Sequence, residues 1–266
     1  MSGKKRRKGD SLPARIGFSL GLPVLLIAIW WLSTVVSPSF FVPTPPELVQ
    51  TFWETWVGPR FHTDLLPSVV RLAIGIVATI VLGVVLGVLI GSNRALRSLT
   101  EPIFEFFRAV PPPVLVPLLI LIIGINDQMR IVVIVSGAIW PVLLNTVEGV
   151  RSVDSVLTDT GRTYGITGFA RLRYLVLPAA SPRIMTGVRQ CLSISLILMV
   201  ISEMFGSSSG LGFTIVLFQR SFAVPQMWSG IAVLGLIGIA LSLIFQFTER
   251  RVLGWYLGQR EVQRDQ

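Results

Sequence analysis

Long apolar stretches separated by short polar punctuation dominate the chain. Residues 16–36 are interrupted only by Ser, Thr, Gly and Pro, and residues 68–90 carry a single arginine near their start. Residues 103–123 are broken by prolines, residues 131–147 follow a polar hinge at 124–130, and residues 184–205 and 227–247 complete a series of six. A membrane span needs roughly 20 mostly apolar residues, because a hydrocarbon core about 30 Å thick is crossed at about 1.5 Å per helical residue. The pattern therefore predicts an all-α integral membrane protein with about six transmembrane helices, occupying residues 16–253 between a basic segment, 1–15, and a short tail, 254–266.

The polar segments give that bundle an orientation. Lys4, Lys5, Arg6, Arg7, Lys8 and Arg15 precede the first stretch. That stretch is longer than the apolar part of a signal peptide and has no small-residue cleavage site, so it reads as a retained helix. Arginines recur in alternate loops: Arg94 and Arg97, then Arg151, Arg162, Arg171, Arg173 and Arg183, then Arg250, Arg251, Arg260 and Arg264. The intervening loops hold only Arg60, Arg130 and Arg220. Positive charge marks the cytoplasmic side, which places both termini inside. The external loop 37–67 contains PTPPELVQTFWETW, with Leu48, Phe52, Trp53 and Trp56 spaced as on a helix lying at the membrane interface. The cytoplasmic loop 151–183 is too polar for lipid, yet Val153, Val156, Leu157 and Thr160 keep helical spacing, as in a structured protein-binding loop.

Composition narrows the class. The 266 residues are 52% hydrophobic but only 14% charged, with a mean hydropathy of +0.72, against about 25% charge in soluble domains. A single cysteine excludes an internal disulfide. The excess of 23 Lys+Arg over 14 Asp+Glu, a net +9, is the signature of a cationic inner membrane face rather than of nucleic-acid binding. One His and one Cys exclude a His/Cys metal site within a single subunit. There is no GxxxxGK[ST] phosphate loop, so the chain is not itself an ATPase. No Ser/His/Asp or paired-carboxylate arrangement suggests an enzyme.

Within the cytoplasmic loop, LTDTGRTYGITGFARLRYLVLPAASP resembles the signature of bacterial ABC-importer permeases: Glu-Ala-Ala, three residues, Gly, nine residues, Ile, one residue, Leu-Pro. Asp159, Thr160 and Gly161 stand at the Glu-Ala-Ala positions, Gly165 at the glycine, Leu175 at the Ile, and Leu177 and Pro178 at the end. The first triplet departs from the pattern, and Gly161 loosens a helix by about 1 kcal/mol relative to Ala. The stretches FFVPTPPELV, EPIFEFFRAVPPPVLVPLLILIIGIND, RTYGITGF, LPAASPRIMTGVRQ and ISEMFGSSSGLGF extend the resemblance over about residues 41–251. They narrow it to the nitrate/sulfonate/taurine type.

The resemblance implies the type I importer permease fold in a bacterial inner membrane and a pathway for a small anionic or polar solute opened by alternating access. It also implies a set of partners: a second permease copy, identical or related; two cytoplasmic ATPase subunits that bind the ATP and Mg; and an external solute-binding protein. No cofactor is expected in the chain itself. The loop would transmit ATPase closure through a short helix turned sharply at Gly165, with Tyr164, Ile166 and Phe169 filling a groove on the ATPase. Asp154 and Asp159 near the helix start suit its dipole, and Pro178 and Pro182 end the loop and start the fifth span. Two alternatives stand beside this reading: a membrane receptor or assembly protein whose loop binds a different cytoplasmic partner, and a secondary transporter, against which counts the single proline break where inverted repeats would show two.

Residues elsewhere carry two readings each. Glu203 closes the fifth stretch, either at the interface, hydrogen-bonded to Ser207, Ser208 and Ser209, or as a gate carboxylate, with Gly210 and Gly212 making the following SSSGLG a constriction that flexes. Arg71 is a steering charge or a partner of Asp64 or Glu203. Arg189 snorkels to the cytoplasmic surface or meets substrate. Glu105 and Arg108 are spaced to pair on one helical face that also carries Glu101. Pro111, Pro112 and Pro113 line the pathway or merely kink the third helix. His62 and Cys191 read as unremarkable.

Overall fold

The computed structural model describes residues 12–205 and 207–256; the basic residues 1–11 and the tail from 257 lie outside it. The described residues are nearly all helical: α1 (Leu12–Val36), α2 (Pro45–Trp56), α3 (Leu66–Ser92), α4 (Arg94–Ala109), α5 (Leu115–Ile123), α6 (Asp127–Arg151), α7 (Ser155–Thr163), α8 (Gly168–Arg171), α9 (Leu177–Met204), α10 (Leu211–Arg220) and α11 (Val224–Val252). Short side chains set the boundaries. Asn93 caps α4 by accepting from the Ala95 and Leu96 amides, and Asn126 caps α6 through the Met129 amide. Thr44 and Glu47 form a capping box on α2.

Four described helices are long and apolar enough to cross a membrane: α3 with the π-turn before it, α6, α9 with the segment leading into it, and α11. The third apolar stretch is not one rod. α4 and α5 are bent by 76° at the proline cluster, and together they count as a fifth span. The break is covered by protein, because Pro112 packs against Gly137 of α6, which is how unwound backbone survives in lipid. The fifth span also begins earlier than expected. A π-turn at Leu172–Val176 joins α8 to α9, and Pro182 sits inside α9 rather than at its start. The Ser181 hydroxyl takes the Pro178 carbonyl that Pro182 leaves without an amide donor, at 2.7 Å.

The core is a three-helix plate of α3, α6 and α9. Lipid tails are as apolar as leucine, so such helices are held by close packing rather than by burial from water. α3 supplies a stripe of small residues at four-residue spacing, and α6 runs parallel beside it. A Cβ at Gly75 would lie 2.7 Å from Ile134, at Gly83 2.8 Å from Val142, at Gly87 2.5 Å from Thr146 and at Gly91 2.9 Å from Val150. The fully buried Thr79 fills the one position of the stripe without glycine. α9 returns antiparallel across α6, with Gly187 against the Pro141 carbonyl and Gly149 against Ala180. Beside the plate, Leu72, Val116, Met129, Ile134, Met199 and Leu211 close one apolar core.

α2 docks on α11, and its aromatic residues do not share one face as the spacing suggested. The Trp56 indole is buried and donates to Ser229 at 3.0 Å, whereas Trp53 is exposed. On α4, Glu105 and Arg108 do not pair. Both line a groove with Glu101, Glu148 and Arg151, in which Glu148 takes Arg151 at 2.6 Å.

Candidate functional site

At the end of the plate where α3 and α6 begin and α9 finishes, three helices bring charge into the protein interior. Glu203, in the last turn of α9, is fully buried. Its Oε1 accepts from Arg71 Nη1 at 2.9 Å, and the Ser68 hydroxyl lies 2.7 Å from Oε1 and 2.9 Å from Oε2. Gly212 N–H donates to Oε2 at 3.0 Å. Arg71 is buried too, and its Nε donates to Asp127 Oδ1 at 2.8 Å. The same oxygen receives Arg130 Nη1 at 2.6 Å, and Arg130 Nη2 reaches the Ser207 hydroxyl at 2.8 Å. Two arginines are thereby balanced by two carboxylates. An unpaired charge at such a place would cost several kcal/mol.

The network also holds the segment after α9. Consecutive backbone amides at the start of α10 have no partner within their own helix. Here Gly210 N–H donates to Asp64 Oδ1 at 3.0 Å, Leu211 N–H to the Ser68 hydroxyl at 2.9 Å and Gly212 N–H to Glu203. Negative side chains at this helix start also complement its dipole. Gly210 has a φ of +115°, and a Cβ there would lie 2.5 Å from the Glu203 carboxyl carbon. This position therefore needs glycine for both its backbone and its closeness to the carboxylate. Ser208 is exposed, and with Ser209, Asn126, Gln128, Arg71 and Arg130 it borders an open depression of about 580 Å³.

Of the residues singled out in the sequence, Arg71, Glu203, Ser207, Gly210 and Gly212 converge on this network, and Ser208 and Ser209 on its rim. Glu203 bonds to none of the three serines; its partners are Ser68, Arg71 and Gly212. Arg71 pairs with Glu203 but not with Asp64, which instead takes Arg60 at 3.3 Å. Pro111, Pro112 and Pro113 stand apart, at the α4–α5 break. Ser68, Asp127 and Arg130 were missed, and Asp64 was weighed only as a partner of Arg71. The signal for Arg130 was present, as one of three arginines on the face otherwise poor in them.

At the opposite end of the plate lies the loop singled out for its motif. Asp154 caps α7 by accepting from Val156 N–H at 2.8 Å. The helix stops in the way the glycine predicts: Gly165 has a φ of +72°, Ile166 N–H bonds the Gly161 carbonyl at 2.8 Å, and Gly165 N–H bonds that of Arg162 at 3.0 Å. Gly161 is more than a weak helix former. It is buried, and a Cβ there would meet Leu175 at 3.0 Å, so the glycine admits the leucine that follows in the same motif. Asp159, Thr160, Tyr164 and Phe169 are exposed, while Ile166 is half-buried, as are Leu177 and Pro178 in the first turn of α9. Tyr164, Phe169 and Tyr174 present aromatic rings more than 70% exposed, and Val156 and Leu157 of α7 are exposed as well. Among the described residues no group of three or more His, Cys, Asp or Glu gathers as a metal site.

Residues 79–253 match the family of binding-protein-dependent transport system inner membrane components. A putative aliphatic sulfonates transport permease protein of Bacillus subtilis is 31% identical over 245 residues, spanning 91% of this chain and 89% of its own length. The taurine transport system permease protein of Escherichia coli is 28% identical over 254 residues, 92% of each chain. The bicarbonate transport system permease protein of Synechococcus elongatus is 30% identical over 203 residues, 76% of this chain and 69% of its own. The crystal structure of an amino acid ABC transporter with histidines overlays with a TM-score of 0.53 at 17% identity, covering 83% of this chain and 98% of that one. At that identity the likeness speaks for the fold.

Proposed function

Because the chain belongs to the family of binding-protein-dependent transport system inner membrane components, a family of multi-pass membrane permeases, we propose that it is the permease subunit of an ATP-driven importer for a small anionic solute. The observation that carries this reading is the family match across most of the chain, with relatives named for aliphatic sulfonates, taurine and bicarbonate. All three are small and anionic or zwitterionic. Residues 16–253 form the transmembrane unit of about six helices, with both termini on the cytoplasmic side of a bacterial inner membrane and residues 254–266 as a tail. One chain pairs with a second copy to enclose the pathway. Two separate ATPase subunits bind ATP and Mg, and an external binding protein delivers the solute. This chain catalyses no reaction of its own.

The exposed face of Tyr164 and Phe169, held by the Gly165 turn, receives the ATPase. At the other end the Arg71–Glu203 network closes the outer mouth of the pathway. Arg71 bridges two carboxylates, Glu203 and Asp127, so it can keep one while releasing the other, and contacts must differ between inward- and outward-facing states for binding energy to move the equilibrium. Ser207, Ser208, Ser209, Gly210 and Gly212 form the flexible lip.

Co-expression with a phosphate-loop ATPase and solute-binding protein from neighbouring genes, followed by reconstitution and uptake of labelled taurine, ethanesulfonate and bicarbonate, tests the reading. ATP- and binding-protein-dependent uptake of at least one anion is expected. The Glu203→Gln variant is expected to lower uptake about ten-fold while leaving basal ATP hydrolysis within two-fold. Uptake driven by a proton gradient without ATP would refute it.

A further inference from the structure

A second set of charges lies away from the Glu203 network. Arg189 stands roughly 18 Å along α9 at about 1.5 Å per residue. Its Nη2 donates at 2.6 Å to Glu249 Oε2, in the last turn of α11 beside Arg250 and Arg251, and its guanidinium carbon lies 5.2 Å from the centroid of the Phe245 ring. The two helices diverge here around a cavity of about 530 Å³, within the roughly 300–1,000 Å³ of small-molecule sites.

Its polar lining forms two facing stripes at four-residue spacing. Arg189 and Ser193 descend α9; Ser242, Gln246 and Arg250 descend α11, with Glu249 beside the last. Gln246 Nε2 also donates to the Ser242 hydroxyl at 3.3 Å. Against lipid such stripes would leave charged and polar groups without partners. Facing each other, they suit a water-filled space.

The sign of the charge selects the ligand. Two arginines and one glutamate leave one positive charge unbalanced. Arg189 is itself 62% exposed, with one of its five N–H donors held by Glu249. The remaining walls are leucines and the Phe245 ring. A cation beside apolar walls matches an anionic head on a short aliphatic body.

We propose that this α9–α11 cavity, at the end of α11 that carries Arg250 and Arg251, is an anion-binding site, taking the sulfonate or carboxylate head of the solute on Arg189. Glu249 is the built-in competitor: it holds Arg189 while the site is empty, gives way to the anion, and regains the arginine as the anion leaves. The short body of the solute lies along Phe245. This inference rests on the reading of the chain as an importer permease for an anionic solute.

The test uses a sulfonate as its own probe. Ser193→Cys is introduced into the full-length chain, whose single native cysteine, Cys191, is buried, and the protein is reconstituted in proteoliposomes. Labelling rates are compared for a sulfonatoethyl and a trimethylammonioethyl methanethiosulfonate, each normalised to a free thiol. The sulfonate reagent is expected to react at least five-fold faster. Arg189→Gln removes that preference, Glu249→Gln increases it, and millimolar taurine slows labelling two-fold or more whatever the phosphatidylglycerol content of the liposomes. A cysteine beyond the reach of either reagent, a preference indifferent to Arg189, or protection that follows phosphatidylglycerol rather than taurine would overturn the site. Uptake by the assembled importer is scored separately. Uptake without the labelling preference overturns the site alone, and the preference without uptake of any anion overturns the importer reading.

Discussion

Replacing Arg71 by Met isolates the energetics of the buried network. The variant loses the 2.9 Å ion pair to Glu203 and the 2.8 Å contact with Asp127. The second loss is minor: the Asp127 side chain is 61% exposed and keeps Arg130 at 2.6 Å, and exposed pairs contribute about 0–1 kcal/mol. The first is not. Glu203, with no solvent exposure, is left with the Ser68 hydroxyl and the Gly212 amide for a full negative charge. Removing one member of a buried pair costs about 3–5 kcal/mol. With about 2–4 °C per kcal/mol in a chain of this size, the unfolding midpoint falls by roughly 6–20 °C. Combining Arg71→Met with Glu203→Gln removes both charges while keeping an acceptor for Ser68 and Gly212, and is expected to recover all but about 1 kcal/mol. Thermal precipitation of the detergent-purified wild type, both single variants and the double variant completes the cycle. A midpoint for Arg71→Met within 2 °C of wild type, or a double variant no more stable than that single one, would refute the assignment of an uncompensated buried charge.

Two further outcomes are expected. Gly165→Leu places a branched side chain at a φ of +72° where nothing crowds it within 4 Å, so its effect is backbone strain of about 1–2 kcal/mol; co-purification with the ATPase should weaken by roughly 5–30-fold with membrane insertion unchanged, and undiminished substrate-stimulated ATP hydrolysis would exclude the loop from coupling. Gly87→Val forces a Cβ to 2.5 Å from Thr146 and is expected to destabilise the plate by about 1–3 kcal/mol, seen as a lowered precipitation midpoint, whereas Gly58→Val, with nothing within 4 Å, should match the wild type.

Hydrophobic periodicity made the spanning helices legible because lipid imposes the same requirement on every crossing segment, and the Gly165 turn was legible because a left-handed residue leaves a mark in the sequence. The Arg71–Glu203 pair was reachable as two rare charges at similar depth. Its companions were less so. Asp64 stood out only as a candidate partner of Arg71 and Arg130 only as a rare arginine of its face, while Ser68 and Asp127 look like ordinary residues at helix starts; the register of α3 against α6 and α9 brings them together. The same holds for Glu249, a residue of the basic tail region by sequence and the partner of Arg189 in space. Gly161 reads as a weakened helix until Leu175 is seen leaning on it. Trp53 and Trp56 are three residues apart, near enough in angle to suggest one face, yet the docking of α2 on α11 separates them.

The glycine stripe of α3 carries a mechanical consequence. Where Ile134, Val142, Thr146 and Val150 of α6 press directly on Gly75, Gly83, Gly87 and Gly91 of α3, only one helix contributes side chains to the seam, and densely packed interiors transmit strain rather than absorb it. The pair therefore behaves as a stiff beam. With 25 residues in α6, that beam is roughly 37 Å long at about 1.5 Å per residue. A tilt of about 5° imposed at one end displaces the other by roughly 3 Å over that length, as far as the Arg71 and Ser68 contacts to Glu203 are long. A deflection too small to separate packed helices at the end bearing α7 is thus large enough, at the far end of the lever, to exchange the hydrogen bonds that Glu203 makes to Arg71 and Ser68.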